Sequence, residues 1–516
     1  MGNERKPGSF GIVFAVVGAG IAMVNMDLFI ANVALPSIGR AFGGADLASL
    51  SWVLNAYAII FAALLVPAGR LADRMGRRAA FLIGVVVFAL SSAWCAGSTG
   101  VWELVAARVV QAAGGALMMP ASLGLLLAVA PPDKRHGAIR GWTAIGGLAA
   151  SLGPVIGGLL VEVSWHWVFL VNVPIAAVTL FAGLRVLPRL APTDAERHEP
   201  RPDMAGAAIL TLAIGILALA LTKTDGWGWG SPRVLGLIAL AIVLSVILVR
   251  RSARHVAPVI EPALLRQPMF GLATLANVVF GMAFGAMLLL VTLWCQDIWG
   301  WSALRAGLAF APGPLMVPFL SVGAGPLAKR VGPGPVAAAG CLIYACGCVF
   351  WRLNLSLAPD YPAHMLPGVL MTGVGVGLTL PTLVSAGVAA VPPARFATGS
   401  GIVTMARQLG IVIGVALLVT VLATPTRATA VTYFGRSFVL TASLAAAAGL
   451  ASLLLVLARK KATPAVSGSA GAPAGLVAEL ESSLAGTKPG GGVKAERGGV
   501  GHLAQARLQV IDVAGT

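Results

Sequence analysis

The sequence predicts an all-α integral membrane protein with fourteen transmembrane helices, built as two six-helix halves plus a central inserted helix pair. Hydrophobic residues make up 58% of the 516-residue chain, and its mean hydropathy is +0.89. Apolar stretches of about 20 residues recur between short polar breaks, and such a stretch spans a bilayer core as a helix. Several short motifs also occur twice in the same order. A soluble protein of this size could not bury so much apolar surface.

The apolar stretches define the predicted spans and, with them, the organisation of the chain. The spans are 10–33, 48–68, 79–98, 102–126, 139–161, 167–187, 204–222, 233–250, 270–293, 305–326, 335–352, 363–387, 398–422 and 437–458. The predicted segments are a cytoplasmic N-terminus (1–9), a first six-helix half (10–188), a cytoplasmic linker with inserted helices 7 and 8 (189–266), a second six-helix half (267–460) and a disordered cytoplasmic tail (461–516). The first apolar run lacks a clear cleavage site, so we interpret it as a retained helix.

The basic residues indicate the orientation of these spans. The chain has 36 lysines and arginines against 19 acidic residues, for a net charge of +17. Most of the basic residues fall in the breaks that become cytoplasmic when the N-terminus is inside, which is the bias of cytoplasmic loops. We therefore expect both termini in the cytoplasm. The positive charge is explained by topology, and no nucleic-acid partner is predicted.

The sequence predicts neither a metal site nor a cofactor. The five cysteines lie within or at the ends of apolar spans, where a small buried residue is the usual interpretation. The six histidines are scattered without ligand spacing. No Walker A pattern is present, and the GVGVG at 373–377 follows no strand, so we do not interpret it as a nucleotide loop. An ion gradient is the expected energy source.

Two pairs of segments reveal an internal repeat. GRLADRMG at 69–76 matches GPLAKRVG at 325–332, and SLGPVIGG at 151–158 matches QLGIVIGV at 408–415, at nearly the same offset. Spans 1–6 and 9–14 therefore look like two copies of one unit. Parallel six-helix repeats are typical of secondary transporters, whose substrate site lies between the halves near the bilayer midplane.

Two ionisable residues inside the first half are candidates for mechanism. Asp27 lies within span 1, and an ionisable group there is costly and usually faces a cavity or a partner. Arg108 lies in span 4 and keeps its charge when buried, so it can influence a nearby carboxylate without releasing a proton itself. Gln111 follows one turn later on the same face. The alternatives are a structural, hydrogen-bonding aspartate near the outer helix end and a structural arginine bonded to carbonyls of helix 1.

Glycines and prolines mark two further motifs. Span 5 carries Gly146, Gly147, Gly153, Pro154, Gly157 and Gly158. Glycines four residues apart permit close helix contact, and a proline bends the helix, so we expect either a gate or tight packing. The stretch GRLADRMGRR contributes Gly69, Asp73, Arg74, Gly76, Arg77 and Arg78. We predict an inner loop between spans 2 and 3, with Gly69 and Gly76 allowing a tight turn.

A third set comprises polar and aromatic residues inside spans that are candidates for a substrate cavity. They are Trp52, Asn55, Tyr57, Gln111, Asn172, Asn277 and Arg407. Aromatic rings receive flat organic cations or neutral drugs. For each residue alone, ordinary packing is the alternative, and Arg407 has the further alternatives of a coupling role or of reaching the interface by snorkelling.

The motifs together resemble the fourteen-helix drug:proton antiporters of the major facilitator superfamily. GRLADRMGRR is similar to the loop motif between helices 2 and 3, and RVVQAAGGALMMP at 108–120 is similar to the fourth-helix motif. GGLAASLGPVIGG at 146–158 resembles the antiporter motif of helix 5, while DLFIANVALP at 27–36 and SWHWVFLVNVPI at 164–175 resemble stretches typical of the fourteen-helix group. The second half departs from the pattern, with Lys329 in place of Asp73 and Val369 in place of Arg108.

The resemblance implies a proton-coupled exporter of amphipathic drugs or antibiotics, without enzymatic activity or cofactor, acting as a monomer in a bacterial cytoplasmic membrane. It implies proton coupling by Asp27 and Arg108, a gating role for the loop motif with Asp73 latching the two halves, and a gate or seal in helix 5. A dedicated exporter of one endogenous metabolite, lipid or siderophore is the nearest alternative. An uptake permease and a non-transporting membrane scaffold are more distant ones.

Overall fold

A computed structural model describes residues 10–131, 135–189, 200–391 and 396–462, and every regular element in these ranges is a helix. Fourteen long helices follow one another. They are α1 (Phe10–Ala41), α2 (Leu47–Met75), α3 (Arg77–Gly97), α4 (Val101–Val129), α5 (Arg135–Val163), α6 (Trp167–Val186), α7 (Met204–Thr222), α8 (Pro232–Arg254), α9 (Pro268–Ile298), α10 (Ala303–Phe310 with Pro312–Val331), α11 (Pro333–Leu353), α12 (Tyr361–Ala389), α13 (Phe396–Leu422) and α14 (Ala430–Ala462). The predicted N-terminus at 1–9 and the predicted tail beyond residue 462 lie outside the described residues.

These helices match the predicted membrane spans in number and order. Thirteen of those described are long and apolar enough to cross a membrane, and α5 is the fourteenth if its two segments count as one span. The segments Ala144–Ala150 and Leu152–Val163 meet at 40°. Pro154 explains the bend, because it has no N–H to donate to the carbonyl of Ala150 one turn earlier.

The internal repeat is visible in the packing of the helices. In the first half α1 packs on α5, α3 on α4 and α2 on α4, and in the second half the corresponding pairs are α9 with α13, α11 with α12 and α10 with α12. The repeated glycines occupy corresponding contacts. Gly153 and Gly157 face α1, whereas Gly410 and Gly414 face α9. The absence of a side chain at these positions lets each pair of helices approach closely.

The central helices α7 and α8 pack mainly on each other, and α7 also contacts α2 and α13 beside the contact between the halves. Asp203 begins α7 as its N-terminal cap, where it accepts a hydrogen bond from the backbone N–H of Gly206 at 2.8 Å. The same carboxylate pairs with Arg251 near the end of α8, at 2.8 Å. One side chain thus fixes both the start of α7 and its pairing with α8.

The predicted loop at GRLADRMGRR is wrong in one respect. α2 continues through Gly69 to Met75, so the residues from Gly69 to Met75 are helical and only Gly76 forms the turn. Gly76 has a φ of 95°, which favours glycine, and α3 begins at the next residue. The predicted span ended where the apolar run stops and polar residues begin. The helix continues beyond that point because its backbone hydrogen bonds do not depend on apolar side chains.

Candidate functional site

A fully buried ion pair lies at the centre of the first half. Asp27 of α1 and Arg108 of α4 are both 0% exposed, and Arg108 Nη1 donates to Asp27 Oδ2. The guanidinium also donates through Nε to the carbonyl of Val53 at 3.2 Å and through Nη1 to Gln111 Oε1 at 2.6 Å. Arg108 therefore reaches a carboxylate on α1 and a carbonyl on α2. The described hydrogen bonds of Arg108 therefore do not include the carbonyls of helix 1 that the alternative interpretation expected.

Amide side chains complete the environment of the Asp27 carboxylate. Gln111 Nε2 donates to Asp27 Oδ1 at 3.0 Å and to Ser92 Oγ at 2.7 Å, and Asn172 Nδ2 donates to Asp27 Oδ1 at 3.2 Å. The Tyr57 ring lies 4.0 Å from the Arg108 guanidinium carbon, in the position of a cation–π contact. We call Asp27, Tyr57, Arg108, Gln111 and Asn172 the Asp27 cluster. It has no net charge, because one carboxylate neutralises one guanidinium.

A separate cavity of about 140 Å³ lies between the two halves. Its walls come from α1 and α5 in the first half and from α9, α10, α12 and α13 in the second. Phe29 and Phe284 meet across it in an edge-to-face contact, with ring centroids 6.3 Å apart. The lining is apolar except for Thr372 and Arg407. The Thr372 hydroxyl donates to the carbonyl of Gly368 in its own helix. We call this the interhalf cavity.

Arg407 is the charged residue in the lining of the interhalf cavity. Gly281 of α9 touches the backbone of Arg407, since a Cβ at Gly281 would lie 2.6 Å from the Arg407 carbonyl oxygen. The close contact of α9 with α13 therefore fixes the backbone position from which the arginine side chain reaches the cavity. Its Nε is buried without a hydrogen-bond partner.

The helix-5 motif lies at two packing contacts. Gly153 and Gly157 pack against α1 at Phe29 and Ile30. Gly158 packs against α10, where a Cβ would come within 2.5 Å of Leu304 Cα. The same contact is equally close on the side of α10, where a Cβ at Gly307 would overlap the carbonyl oxygen of Pro154.

The remaining motif residue, Gly146, contacts α1 at Asn25 Nδ2. The motif therefore holds α5 against its own half and against the other half at the same time.

The described contacts of Asp73, Arg77 and Arg78 in the loop motif lie within the first half. Asp73 accepts from Arg77 Nε at 2.9 Å, and Arg77 Nη1 reaches the carbonyl of Gly124 on α4 at 3.5 Å. Arg78 donates to the carbonyl of Leu184 near the end of α6 at 2.7 Å. Arg74 is half-buried in the last turn of α2.

A neighbouring residue of the same stretch reaches further. Arg70 pairs with Glu261, which lies between α8 and α9, at 3.8 Å. Among the described contacts, Arg70 thus pairs with the linker that precedes α9, and Asp73 pairs with Arg77 within the first half.

The predicted cavity residues separate into three groups. Tyr57, Gln111 and Asn172 belong to the Asp27 cluster, and only Arg407 lines the interhalf cavity. Asn277 donates to the carbonyl of Val403 at 3.0 Å, which joins α9 to α13. Trp52 packs where α2 meets α7 and α13, and Asn55 is buried on α2 with an unpartnered Nδ2.

Sequence reasoning missed three residues. Phe29 and Phe284 line the interhalf cavity, and the Ser92 hydroxyl accepts a hydrogen bond from Gln111. Phenylalanines inside apolar spans carry no signal that distinguishes a cavity wall from packing. Ser92 lies inside an apolar span, where a serine commonly bonds to its own helix.

Comparisons with known proteins identify the family. The model of the Major Facilitator Superfamily matches residues 17–415. The tetracenomycin C resistance and export protein of Streptomyces glaucescens is 32% identical over 408 residues, which cover 78% of this chain and 74% of that protein. The multidrug resistance protein Stp of Mycobacterium tuberculosis (strain CDC 1551 / Oshkosh) is 32% identical over 418 residues, covering 80% of this chain and 76% of that protein.

A solved structure shows the same fold. A POT family transporter in complex with 5-aminolevulinic acid superposes with a TM-score of 0.63 at 16% identity, covering 88% of this chain and 96% of that one. At this level of identity the likeness concerns the fold alone. With the match of the family model across most of the fourteen helices, the chain belongs to the Major Facilitator Superfamily.

Proposed function

We propose that this protein exports amphipathic organic compounds across the bacterial cytoplasmic membrane in exchange for protons, by alternating access of the interhalf cavity. The observation that carries the proposal is the cavity itself, which is walled by helices of both six-helix halves. Membership of the family supports a transporter with no enzymatic step. The names of the relatives, which are export and resistance proteins, support the outward direction.

The Asp27 cluster supports proton coupling. In the described state the Asp27 carboxylate is neutralised by Arg108 and receives hydrogen bonds from two amides. A shift of α1 against α4 that separates the pair exposes a bare carboxylate in an apolar core, where binding a proton keeps the acid neutral. Arg108 remains charged throughout and therefore acts on the proton only through Asp27.

Helix α1 connects this cluster to the interhalf cavity. Phe29 lines the cavity, and Asp27 lies two residues earlier on the same helix. A substrate that displaces Phe29 moves α1, and the same movement loosens the contact between Asp27 and Arg108. The contact of α5 with α10 at Gly158 and Gly307 supports a seal on one side of the cavity. Asp73 remains our candidate for a latch in the opposite state.

The arrangement in the membrane follows from the basic residues. We propose cytoplasmic termini, since the turns rich in arginine and lysine then face the cytoplasm. A single chain contains both halves of the proposed path, which supports a monomeric transporter using the proton gradient and no cofactor.

Everted membrane vesicles test the coupling. In vesicles holding the overproduced protein and a preset pH gradient, addition of an exported drug should partly collapse the gradient, and Asp27→Asn should abolish this response. Asp46→Asn is the matched control, because it makes the same substitution at an exposed position just before α2. Normal drug-dependent proton movement in Asp27→Asn would contradict the assignment of Asp27.

A dedicated exporter is the second candidate. The tetracenomycin C relative is named for a single compound, whereas Stp is named for multidrug resistance. A susceptibility panel on a strain lacking and then overproducing the protein separates the two. Resistance to several unrelated compounds supports broad export, and a change confined to one compound class supports the dedicated exporter.

A further inference from the structure

The interhalf cavity contains a cation without a counter-charge. Among the described residues that line it, Arg407 carries a positive charge and none carries a negative one. No described hydrogen bond or ion pair reaches the Arg407 side chain, and its Nε is buried without a partner. Burying an unpaired charge is costly, so such a group persists where something else pairs with it.

The protein offers no acid for this role within the second half. From residue 268 to residue 462 the sequence contains only two acidic residues, Asp297 and Asp360. Asp297 lies in the last turn of α9, and Asp360 directly precedes α12, so both are at helix ends. In the first half, Asp27 is already bound to Arg108. No acidic residue is among those that line the interhalf cavity, so a bound molecule is our candidate for the counter-charge.

The repeat shows that this charge is specific to one half. In the alignment of 151–158 with 408–415, Arg407 corresponds to Ala150. Both residues line the interhalf cavity. The fold therefore brings two equivalent positions to the same cavity, one small and apolar and the other cationic. A purely structural arginine would have a partner on a neighbouring helix, as Arg108 has in the first half.

We propose that Arg407 binds the anionic group of the transported compound, and that the substrates are amphipathic organic anions. A guanidinium matches a carboxylate or an ionised phenol through paired charged hydrogen bonds. The rings of Phe29 and Phe284 provide the apolar wall for the hydrophobic part of the same molecule. The inference rests on the proposed function only in that the interhalf cavity is the transport site.

Two dyes with the same xanthene ring system and opposite charge test this inference. Fluorescein is an anion and rhodamine 123 a cation at neutral pH, and their binding to the purified full-length protein is followed by fluorescence polarisation. The wild type should bind fluorescein more tightly. Arg407→Gln should weaken fluorescein binding by roughly tenfold or more, because it removes one charged hydrogen bond. The same substitution should leave the affinity for rhodamine 123 nearly unchanged.

Three variants serve as controls. Arg407→Lys retains the charge and should keep part of the fluorescein affinity. Arg436→Gln removes an exposed arginine near the start of α14 and should change neither affinity. Ala150→Asp introduces a carboxylate at the equivalent cavity position, so it should weaken fluorescein binding and strengthen rhodamine 123 binding even if Arg407→Gln fails to fold.

The outcomes separate the anion site from the export proposal. Unchanged fluorescein affinity in Arg407→Gln, an equal loss for both dyes, or a wild-type preference for rhodamine 123 would overturn the anion site. If everted vesicles export neither dye while purified protein binds fluorescein through Arg407, export fails and the anion site stands. If vesicles export both dyes and Arg407→Gln changes neither, export stands and the anion site fails.

Discussion

Arg108 and Arg407 are two arginines within membrane-spanning helices, and their surroundings are opposite. Arg108 is fully buried with a carboxylate, a carbonyl and an amide as hydrogen-bond acceptors and an aromatic ring against its face. Arg407 faces an apolar cavity without a described partner. The first half thus pairs this arginine with an acid of its own, whereas no described residue of the second half pairs with Arg407. This difference underlies our proposals, which place proton coupling in the first half and substrate recognition in the second.

The stability of single variants gives the largest expected difference between the two sites. Arg108→Leu should destabilise the protein by about 3–5 kcal/mol, because it leaves Asp27 as an uncompensated buried charge. Arg407→Leu should be neutral or stabilising, because it removes a charge that has no partner. Thermal unfolding in detergent, followed by size-exclusion chromatography of the fluorescently tagged protein, measures both.

A double variant checks that the cost comes from the broken pair. Asp27→Leu combined with Arg108→Leu removes both charges, and it should regain most of the stability lost in Arg108→Leu. An additive loss in the double variant, or an equal loss in Arg407→Leu, would show that the two arginines do not differ as described.

A glycine on the neighbouring helix tests how Arg407 is positioned. Gly281→Val pushes α13 away from α9 at Arg407, since even a Cβ there would lie 2.6 Å from the Arg407 carbonyl oxygen. We expect a loss of about 1–3 kcal/mol in stability from overpacking, together with weaker fluorescein binding. Gly215→Val on α7 is the control, because no atom lies within 4 Å of a Cβ at that position. A destabilised Gly281→Val with normal fluorescein affinity would show that helix spacing does not position the arginine.

The comparison also shows where prediction from the sequence succeeds. The number and order of the helices follow from apolar runs, because the bilayer imposes a length on each span. The association of Asp27 with Arg108 was predictable because an acid and a base inside apolar spans each need a partner. Gln111 was predictable from its spacing of one helical turn.

Other features required the three-dimensional arrangement. Arg407 and Arg108 look alike in the sequence, and only the packing shows that one is paired and the other is not. Tyr57 and Asn172 were predicted for a substrate cavity but contact Arg108 and Asp27 instead, because the rotation of a helix decides which neighbour a polar side chain meets. Gly69 was placed in a turn, yet α2 continues to Met75, since the end of an apolar run does not end a helix.

The smallest expected effect concerns the ring that covers Arg108. The Tyr57 hydroxyl has no hydrogen-bond partner, while its ring lies 4.0 Å from the guanidinium carbon. Tyr57→Phe should therefore change stability by less than about 0.5 kcal/mol, because it removes an unsatisfied polar group and keeps the ring. Tyr57→Leu should cost more, since it loses a cation–π contact worth about 0.5–2 kcal/mol in addition to packing. If Tyr57→Phe costs as much as Tyr57→Leu, the ring adds nothing to stability, and Arg108 is held by hydrogen bonds and charge alone.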